Sequence, residues 1–164
     1  MCGIAGIINF NSSEDLQDLL YRMIGIMRHR GPDSSGIFLS EPAGLAHARL
    51  SIIDLNSGDQ PIYNEDRTIW IVFNGEIFNY PELRKDLISR GHKFYTQTDT
   101  EVLIHLYEEK GTKLFDDLNG QYAFALWDKK RDFLLLGRDR MGIRPLFYHN
   151  QNGRFVFGSE IKAL

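Results

Sequence analysis

Residues Tyr122–Trp127, which read YAFALW, form a short apolar run bounded by polar residues, a pattern typical of a buried β-strand. Three further runs of this kind follow at Phe133–Gly137, Leu146–His149 and Phe155–Gly158. Short polar segments join them, as expected for turns. The last third of the chain is therefore predicted to form an antiparallel meander.

The N-terminal part combines a strand with a helix. Gly3–Phe10 is apolar with small residues, which predicts a buried strand. From Ser13 onward, apolar residues recur at spacings of three and four, as on one face of an amphipathic helix. Ser12 or Ser13 would cap this helix, and Gly31-Pro32 would follow its end. The apolar positions are Leu16, Leu19, Leu20, Met23 and Met27.

The middle of the chain mixes the two periodicities. Strands are predicted at Ile37–Leu39, Leu45–Ile53 and Ile69–Phe73, and helices near Glu82–Ser89 and Thr100–Glu109. Strands and helices do not alternate regularly, so the pattern favours an α+β layered fold over a βαβ sheet. A length of 164 residues predicts one domain, residues 1–164.

Composition and charge argue against two classes of partner, nucleic acids and membranes. The chain is 43% hydrophobic and 25% charged, with a formal net charge of -3. This balance provides no strong positive field, so we expect no nucleic-acid partner. No apolar run approaches the roughly 18 residues of a membrane span, and no secretory signal is recognised. We therefore expect a cytoplasmic protein that does not contact a membrane.

Cys2 is the only cysteine, which excludes an internal disulfide and a cysteine-based zinc cluster. It follows the initiator Met1. If Met1 is removed, one residue carries both a thiol nucleophile and a free α-amine, whose usual pKa of about 7.7–8 suits a base at neutral pH. The alternative is a small buried residue at the start of a strand.

Metal and nucleotide sites are not indicated. The five histidines lack a metal-ligand spacing such as His-x-x-His, so we predict no metal. The chain also lacks the glycine-rich loop with lysine that binds nucleotide phosphates. We therefore expect no ATP site in this domain.

Asn74-Gly75 permits two interpretations. It follows the predicted strand Ile69–Phe73, and Asn-Gly is the sequence of a tight hairpin turn. Alternatively, the Asn74 side-chain amide and the Gly75 main-chain N–H face one point and stabilise the oxyanion of an acyl transfer.

Three charged residues also have alternative interpretations. Alternation along the predicted strand places Arg49 with His47, either on a solvated face or as a carboxylate ligand. Asp99 is a candidate N-cap of the helix that follows, and Glu76 a polar turn residue. Together, one arginine and two carboxylates would complement the two charged ends of an amino acid.

Several motifs, in this order, resemble the glutaminase domain of asparagine synthetases, and the resemblance covers essentially the whole chain. They are MCGIAG at 1–6, HRGPD at 29–33, RLSIID at 49–54, NGEIFNY at 74–80, TDTEVL at 98–103, GQYAFALWD at 120–128 and GSEIKAL at 158–164. One departure is Arg144, where relatives often have lysine; we expect it to stay apart from the chemistry.

The resemblance implies a class II glutamine amidotransferase with an N-terminal-nucleophile hydrolase fold, a four-layer αββα sandwich with two antiparallel sheets. It also implies a role for each site residue. Cys2 would be the nucleophile after loss of Met1, and Asn74 and Gly75 would form the oxyanion hole. Arg49 would bind the glutamine α-carboxylate, and Glu76 and Asp99 would bind its ammonium. The main chain around Ile52 and Ile53 would line the same pocket.

The implied reaction is hydrolysis of L-glutamine to glutamate and ammonia, with no cofactor in this domain. In the family, a C-terminal synthetase domain, absent from this chain, uses ATP and Mg to convert aspartate to asparagine with that ammonia. The resemblance is compatible with a homodimer. The alternatives are an amidotransferase domain that feeds another acceptor, in sugar or polysaccharide biosynthesis, and a non-catalytic regulatory domain of the same fold.

Overall fold

The computed structural model describes residues 1–9, 15–50 and 58–164, which form two antiparallel β-sheets with helices on their outer faces. Two short 3-10 helices are also present among the described residues, at Gly111–Asp116 and Ile161–Ala163. In chain order, the elements are β1 (Gly3–Asn9), α1 (Leu16–Ile26), β2 (Ser34–Ser40), β3 (Ala43–Arg49), β4 (Ile62–Tyr63), β5 (Ile69–Ile77), α2 (Tyr80–Ser89), α3 (Thr100–Lys110), β6 (Gly120–Asp128), β7 (Phe133–Arg138), β8 (Phe147–Gln151) and β9 (Arg154–Gly158).

The two sheets are built from strands that are distant in sequence. Within the described residues, the first sheet has the order β2-β3-β1-β9-β8 and the second the order β4-β5-β6-β7. In the first sheet β1 pairs with β3 on one side and β9 on the other, which joins the two ends of the chain. In the second sheet β5 pairs with β6 along its whole length, from Ile69 opposite Asp128 to Ile77 opposite Gly120.

Three apolar cores separate four layers. Helix α1 packs on the first sheet through residues such as Leu20 and Met23. Ile4, Val72 and Trp127 belong to the core between the two sheets. Helix α3 packs on the outer face of the second sheet, and α2 packs beside α3. The predicted α+β class and the αββα sandwich are confirmed.

The predicted meander is wrong in one respect. The last four strands form two hairpins, β6–β7 in the second sheet and β8–β9 in the first. The segment between β7 and β8 changes sheet. The buried Asp139 side chain organises it by accepting hydrogen bonds from the main-chain N–H groups of Met141, Ile143 and Arg144 at 2.9–3.1 Å. A local periodicity predicts the strands but not the sheet that each one joins.

Helix α1 begins later than predicted. Its N-cap is Asp15, whose carboxylate accepts hydrogen bonds from the N–H groups of Gln17 and Asp18. The predicted serine caps, Ser12 and Ser13, lie outside the described residues. Within those residues, no helix is both long and apolar enough to cross a membrane.

Candidate active site

Six of the eight predicted site residues line one cavity at the edge where the two sheets meet. They are Cys2, Arg49, Asn74, Gly75, Glu76 and Asp99. The cavity encloses about 90 Å³, and Met1, His47, Gln60 and Arg144 are among its other lining residues. Ile52 and Ile53 lie outside the described residues. The fold therefore gathers side chains from positions 2 to 99 of the sequence.

Cys2 stands immediately before β1, with its side chain half-buried. Its sulfur lies beside the end of β3, where Sγ is 3.6 Å from the Leu50 carbonyl oxygen and accepts a hydrogen bond from the Leu50 N–H at 3.4 Å. The Arg30 guanidinium donates to the Cys2 carbonyl oxygen at 3.0 Å and to Glu160 at 3.2 Å. These contacts fix the main chain that carries the thiol.

Met1 lies at the mouth of the cavity and is about half exposed. Its sulfur contacts the Arg144 guanidinium, which also lines the cavity. Arg144 therefore lies at the cavity mouth, and that it takes no part in the chemistry stays a prediction. While Met1 is attached, the Cys2 nitrogen belongs to a peptide bond and cannot act as a base. Loss of Met1 would free that nitrogen and enlarge the cavity.

Asn74 and Gly75 are not in a hairpin turn. They lie within β5, opposite Ala123 and Tyr122 of β6, so the turn interpretation is wrong. Position 75 requires glycine because the main chain of β6 comes very close to it. A Cβ atom there would lie 2.2 Å from the Gln121 carbonyl oxygen. The Asn74 side-chain nitrogen is buried and has no hydrogen-bond partner among the described residues.

The Gly75 N–H faces the cavity side of β5. Along this edge the Phe73 N–H donates to Gln60 Oε1 at 2.6 Å, and the Ile77 N–H donates to Asp99 Oδ2 at 2.9 Å. Alternate residues of a strand direct their N–H groups to the same edge, so the N–H of Gly75 points between these two. Two donors, one from a side chain and one from the main chain, thus meet at one cavity wall.

Arg49 ends β3 on the face between the sheets. Its side chain is 7% exposed, so the interpretation as a solvated strand face is wrong. The alternation itself is correct, because His47 also lies on the face towards the second sheet, where its Nε2 is 3.1 Å from the Phe73 carbonyl oxygen. Arg49 donates to Asp59 at 2.8 Å. The hydrogen bond from Ser34, together with Arg49, holds the pKa of the Asp59 carboxyl below its usual range.

Two carboxylates complete the cavity. Glu76 is a half-buried residue of β5, not a turn residue. Asp99 occupies the N-cap position of α3, as predicted, but its side chain makes no capping bond and instead accepts from Ile77. Burial raises the pKa of Asp99 to about 6, and the charge of Glu76 acts in the same direction. The cavity thus presents the Arg49 guanidinium and two acids near the thiol, with a second guanidinium, that of Arg144, beside Met1.

Several cavity residues were missed by sequence reasoning. His47 and Gln60 line the wall beside β5, and Asp59 binds Arg49. For His47, the only available signal was its position two residues before Arg49, on the same strand face. Gln60 and Asp59 lie in an irregular segment, where no periodicity reports their direction.

A separate cluster of potential metal ligands lies beside α3, away from the cavity. It contains Glu65, His92 and His105, whose potential ligand atoms lie within 4.8 Å of one another. His105 Nδ1 is 2.8 Å from a Glu108 oxygen. Burial lowers the pKa of His105, but Glu101 and Glu108 outweigh it and raise the value to about 9. A protonated His105 paired with these acids accounts for the cluster. That the domain needs no metal stays a prediction.

Solved amidotransferases share this fold. A glutamine phosphoribosylpyrophosphate amidotransferase from B. subtilis, complexed with ADP and GMP, superposes with a TM-score of 0.82 at 22% identity, over 99% of this chain and 42% of that one. A structure described as the allosteric regulatory enzyme of purine biosynthesis gives 0.83, also at 22% identity and with the same coverage of both chains. The likeness shows that this chain shares their fold.

The chain belongs to the glutamine amidotransferase domain family, whose sequence model matches residues 1–164. It is 45% identical over 166 residues to asparagine synthetase B (glutamine-hydrolysing) of Escherichia coli, and 46% identical over 167 residues to asparagine synthetase (glutamine-hydrolysing) 2 of Bacillus subtilis. All of this chain is covered, but only 30% and 22% of those relatives. The family predicted from the motifs is confirmed.

Proposed function

We propose that this domain hydrolyses L-glutamine to glutamate and ammonia, with Cys2 as the nucleophile after removal of Met1. The observation that carries the proposal is that Cys2 and Asn74 line the same cavity, and that the Asn74 amide nitrogen has no hydrogen-bond partner within the part of the chain that the structure describes. A buried donor without a partner is costly, by about 1–3 kcal/mol, unless something pairs with it during function. An oxyanion formed next to Cys2 is such a partner.

The chemistry follows from these groups. The Cys2 sulfur attacks the side-chain amide carbon of glutamine, and the Cys2 α-amine takes the thiol proton. Negative charge develops on the amide oxygen, where the Asn74 side chain and the Gly75 N–H stabilise it. The α-amine then gives its proton to the departing nitrogen, and ammonia leaves a thioester. Water, deprotonated by the same amine, attacks the thioester and releases glutamate and the thiol.

The charged residues would select the substrate. Arg49 would pair with the α-carboxylate of glutamine, and Glu76 with Asp99 would pair with its ammonium. The main chain around Ile52 and Ile53 would line the same pocket. An amide that lacks either charged end would forgo a charge-assisted hydrogen bond to Arg49 or to the two acids, each contributing about 1.5–3 kcal/mol. This is why the pocket would prefer glutamine to simple amides.

The use of the ammonia lies outside this domain. The chain spans about a fifth to a third of the length of the curated relatives it matches, which are named as glutamine-hydrolysing asparagine synthetases. We infer that a C-terminal synthetase domain in a longer, cytoplasmic chain, with ATP and Mg, adds the ammonia to aspartate, while this domain uses no cofactor. A homodimer is compatible with this arrangement.

The test combines processing, trapping and activity. Intact mass should show a chain without Met1, and that chain should release equal amounts of ammonia and glutamate from glutamine. A glutamine analogue with an electrophilic diazoketone should add once, at Cys2. Cys2→Ala should abolish both activity and labelling without changing the fold, because it removes one sulfur and little packing volume. Retention of ammonia release by Cys2→Ala would refute the proposal.

A further inference from the structure

We propose that His47 and Gln60 are positioning residues that hold the Phe73 peptide and thereby set the two oxyanion donors, Asn74 and Gly75. This inference rests on the proposed function. It concerns residues to which the proposed reaction assigns no direct role. Their effect would pass through the main chain of β5.

Among residues 1–9, 15–50 and 58–164, no strand pairs with the edge of β5 where the donors lie. Strand β4 has only two residues, and it pairs with Trp70 and Ile71 of β5. Beyond that point, two side chains take the place of a neighbouring strand. Gln60 Oε1 accepts from the Phe73 N–H at 2.6 Å, and His47 Nε2 donates to the Phe73 carbonyl oxygen at 3.1 Å. Both main-chain groups of Phe73 are thus satisfied from outside its own sheet.

His47 connects the two sheets. It belongs to β3 in the first sheet, is fully buried, and reaches Phe73 in the second. Burial lowers the pKa of His47 to about 4, so the imidazole is neutral, and its one N–H proton is on Nε2, which donates to the Phe73 carbonyl oxygen. A neutral ring adds no second positive charge beside Arg49, where the substrate carboxylate would bind.

Gln60 connects the same peptide to helix α3. Its amide nitrogen lies 3.4 Å from the Thr100 hydroxyl, next to Asp99, which binds the Ile77 N–H. The N–H groups of three alternate residues on this edge therefore have different partners. Phe73 and Ile77 are held by side chains, and the Gly75 N–H between them faces the cavity. This arrangement immobilises the strand on both sides of the proposed donor.

The effect should appear in the chemical step. Catalytic groups must be held within about 0.5 Å of their productive positions, and a misplacement of about 1 Å can cost about 100-fold in rate. We call the two hydrogen bonds that His47 and Gln60 make with the Phe73 peptide the clamp. When the clamp is broken, glutamine would still be bound by Arg49, Glu76 and Asp99. Loss of either side chain should therefore lower kcat while leaving KM nearly unchanged, whereas general loosening of the fold would change both.

The test uses two disruptive variants and one rescue variant. His47→Leu removes the donor to the Phe73 carbonyl, and Gln60→Leu removes the acceptor of its N–H. Each should lower kcat by about 10- to 100-fold, with KM within about threefold of the wild-type value. His47→Gln, whose terminal amide can donate from nearly the same place, should recover most of kcat.

Trp70→Phe is the matched control. It removes a side-chain donor to a main-chain carbonyl, that of Arg67 at 2.9 Å, on the same strand but outside the cavity lining. Its kcat should equal that of the wild type. If both leucine variants keep kcat within twofold, or if kcat falls only in proportion to a loss of folded protein, the inference is wrong.

Hydrogen exchange separates this inference from the proposed function. The Phe73 N–H should lose protection in Gln60→Leu and keep it in Trp70→Phe, whether or not the protein is active. A wild-type chain that hydrolyses no glutamine would refute the proposed function, while the exchange of the Phe73 N–H would still test the clamp. An active wild type with unchanged Phe73 exchange and unchanged kcat in Gln60→Leu would refute the clamp alone.

Discussion

The carboxylate of Asp99 accepts a hydrogen bond from the Ile77 N–H at 2.9 Å, although Asp99 stands at the N-cap position of α3. This bond fastens the start of the helix to the strand that carries Asn74, Gly75 and Glu76. Burial of the carboxylate raises its pKa to about 6, although this hydrogen bond acts in the opposite direction by favouring the charged form. A residue suited to capping a helix is used here to build one wall of the cavity.

Glutamine binding should weaken below pH 6. The pKa of Asp99 is raised to about 6, so the carboxylate is charged above this pH and neutral below it. A neutral Asp99 cannot pair with the substrate ammonium, and the Kd should rise up to tenfold for each pH unit below 6. Calorimetry on Cys2→Ala, which cannot turn over, measures this. Asp99→Asn should bind weakly with no such pH dependence; a flat wild-type profile to pH 5 would contradict the role.

Asn74→Ala should separate activity from stability. Loss of one oxyanion donor should lower kcat on the order of 100–1000-fold with little change in KM. The Asn74 nitrogen has no partner among the described residues, so its removal also relieves an unpaired buried donor. The denaturation midpoint should therefore stay equal or rise. A large loss of stability together with normal kcat would show that Asn74 is a structural residue.

Arg49 and Asp59 form a matched pair for testing the carboxylate site. Arg49→Ala should weaken glutamine binding by about 2–5 kcal/mol, because it removes the buried partner of the substrate carboxylate. Asp59→Asn should change KM far less, since Asp59 would not itself contact glutamine and its side chain is 73% exposed to solvent, which screens its charge. Steady-state KM for both variants decides this. Equal effects of the two variants would contradict the assignment.

The His105 cluster should make stability depend on pH. The pKa of His105 is raised from 6.5 to about 9 in the folded chain, so the folded state binds this proton more tightly than the unfolded state. Its contribution is fully present below pH 6.5 and is lost as pH rises through 9. Urea unfolding between pH 6 and 10 measures this dependence. His105→Gln should flatten it and leave glutamine hydrolysis unchanged, because His105 is not a lining residue of the cavity.

Local patterns predicted much of the fold. The apolar run at the N-terminus becomes β1, and the helical spacings after Thr100 become α3. Alternation placed His47 with Arg49 on one face of β3, which the structure confirms. These features follow from periods of 2 and 3.6 residues, which any short stretch of sequence displays. The order of the motifs, through its resemblance to a family, added the site residues that lie in the cavity.

The sequence by itself determined most of the strands and helices, the alternation of side chains along β3, and the single thiol beside the N-terminus. Only the tertiary structure decided that a second sheet covers the Arg49 face, that Asn74-Gly75 continues a strand, and that Asp99 binds Ile77 in place of its own helix. The physical reason is that each of these depends on contacts between segments far apart in the chain. A local period specifies the two faces of a strand, but the packing of distant strands decides which face is buried and what it meets.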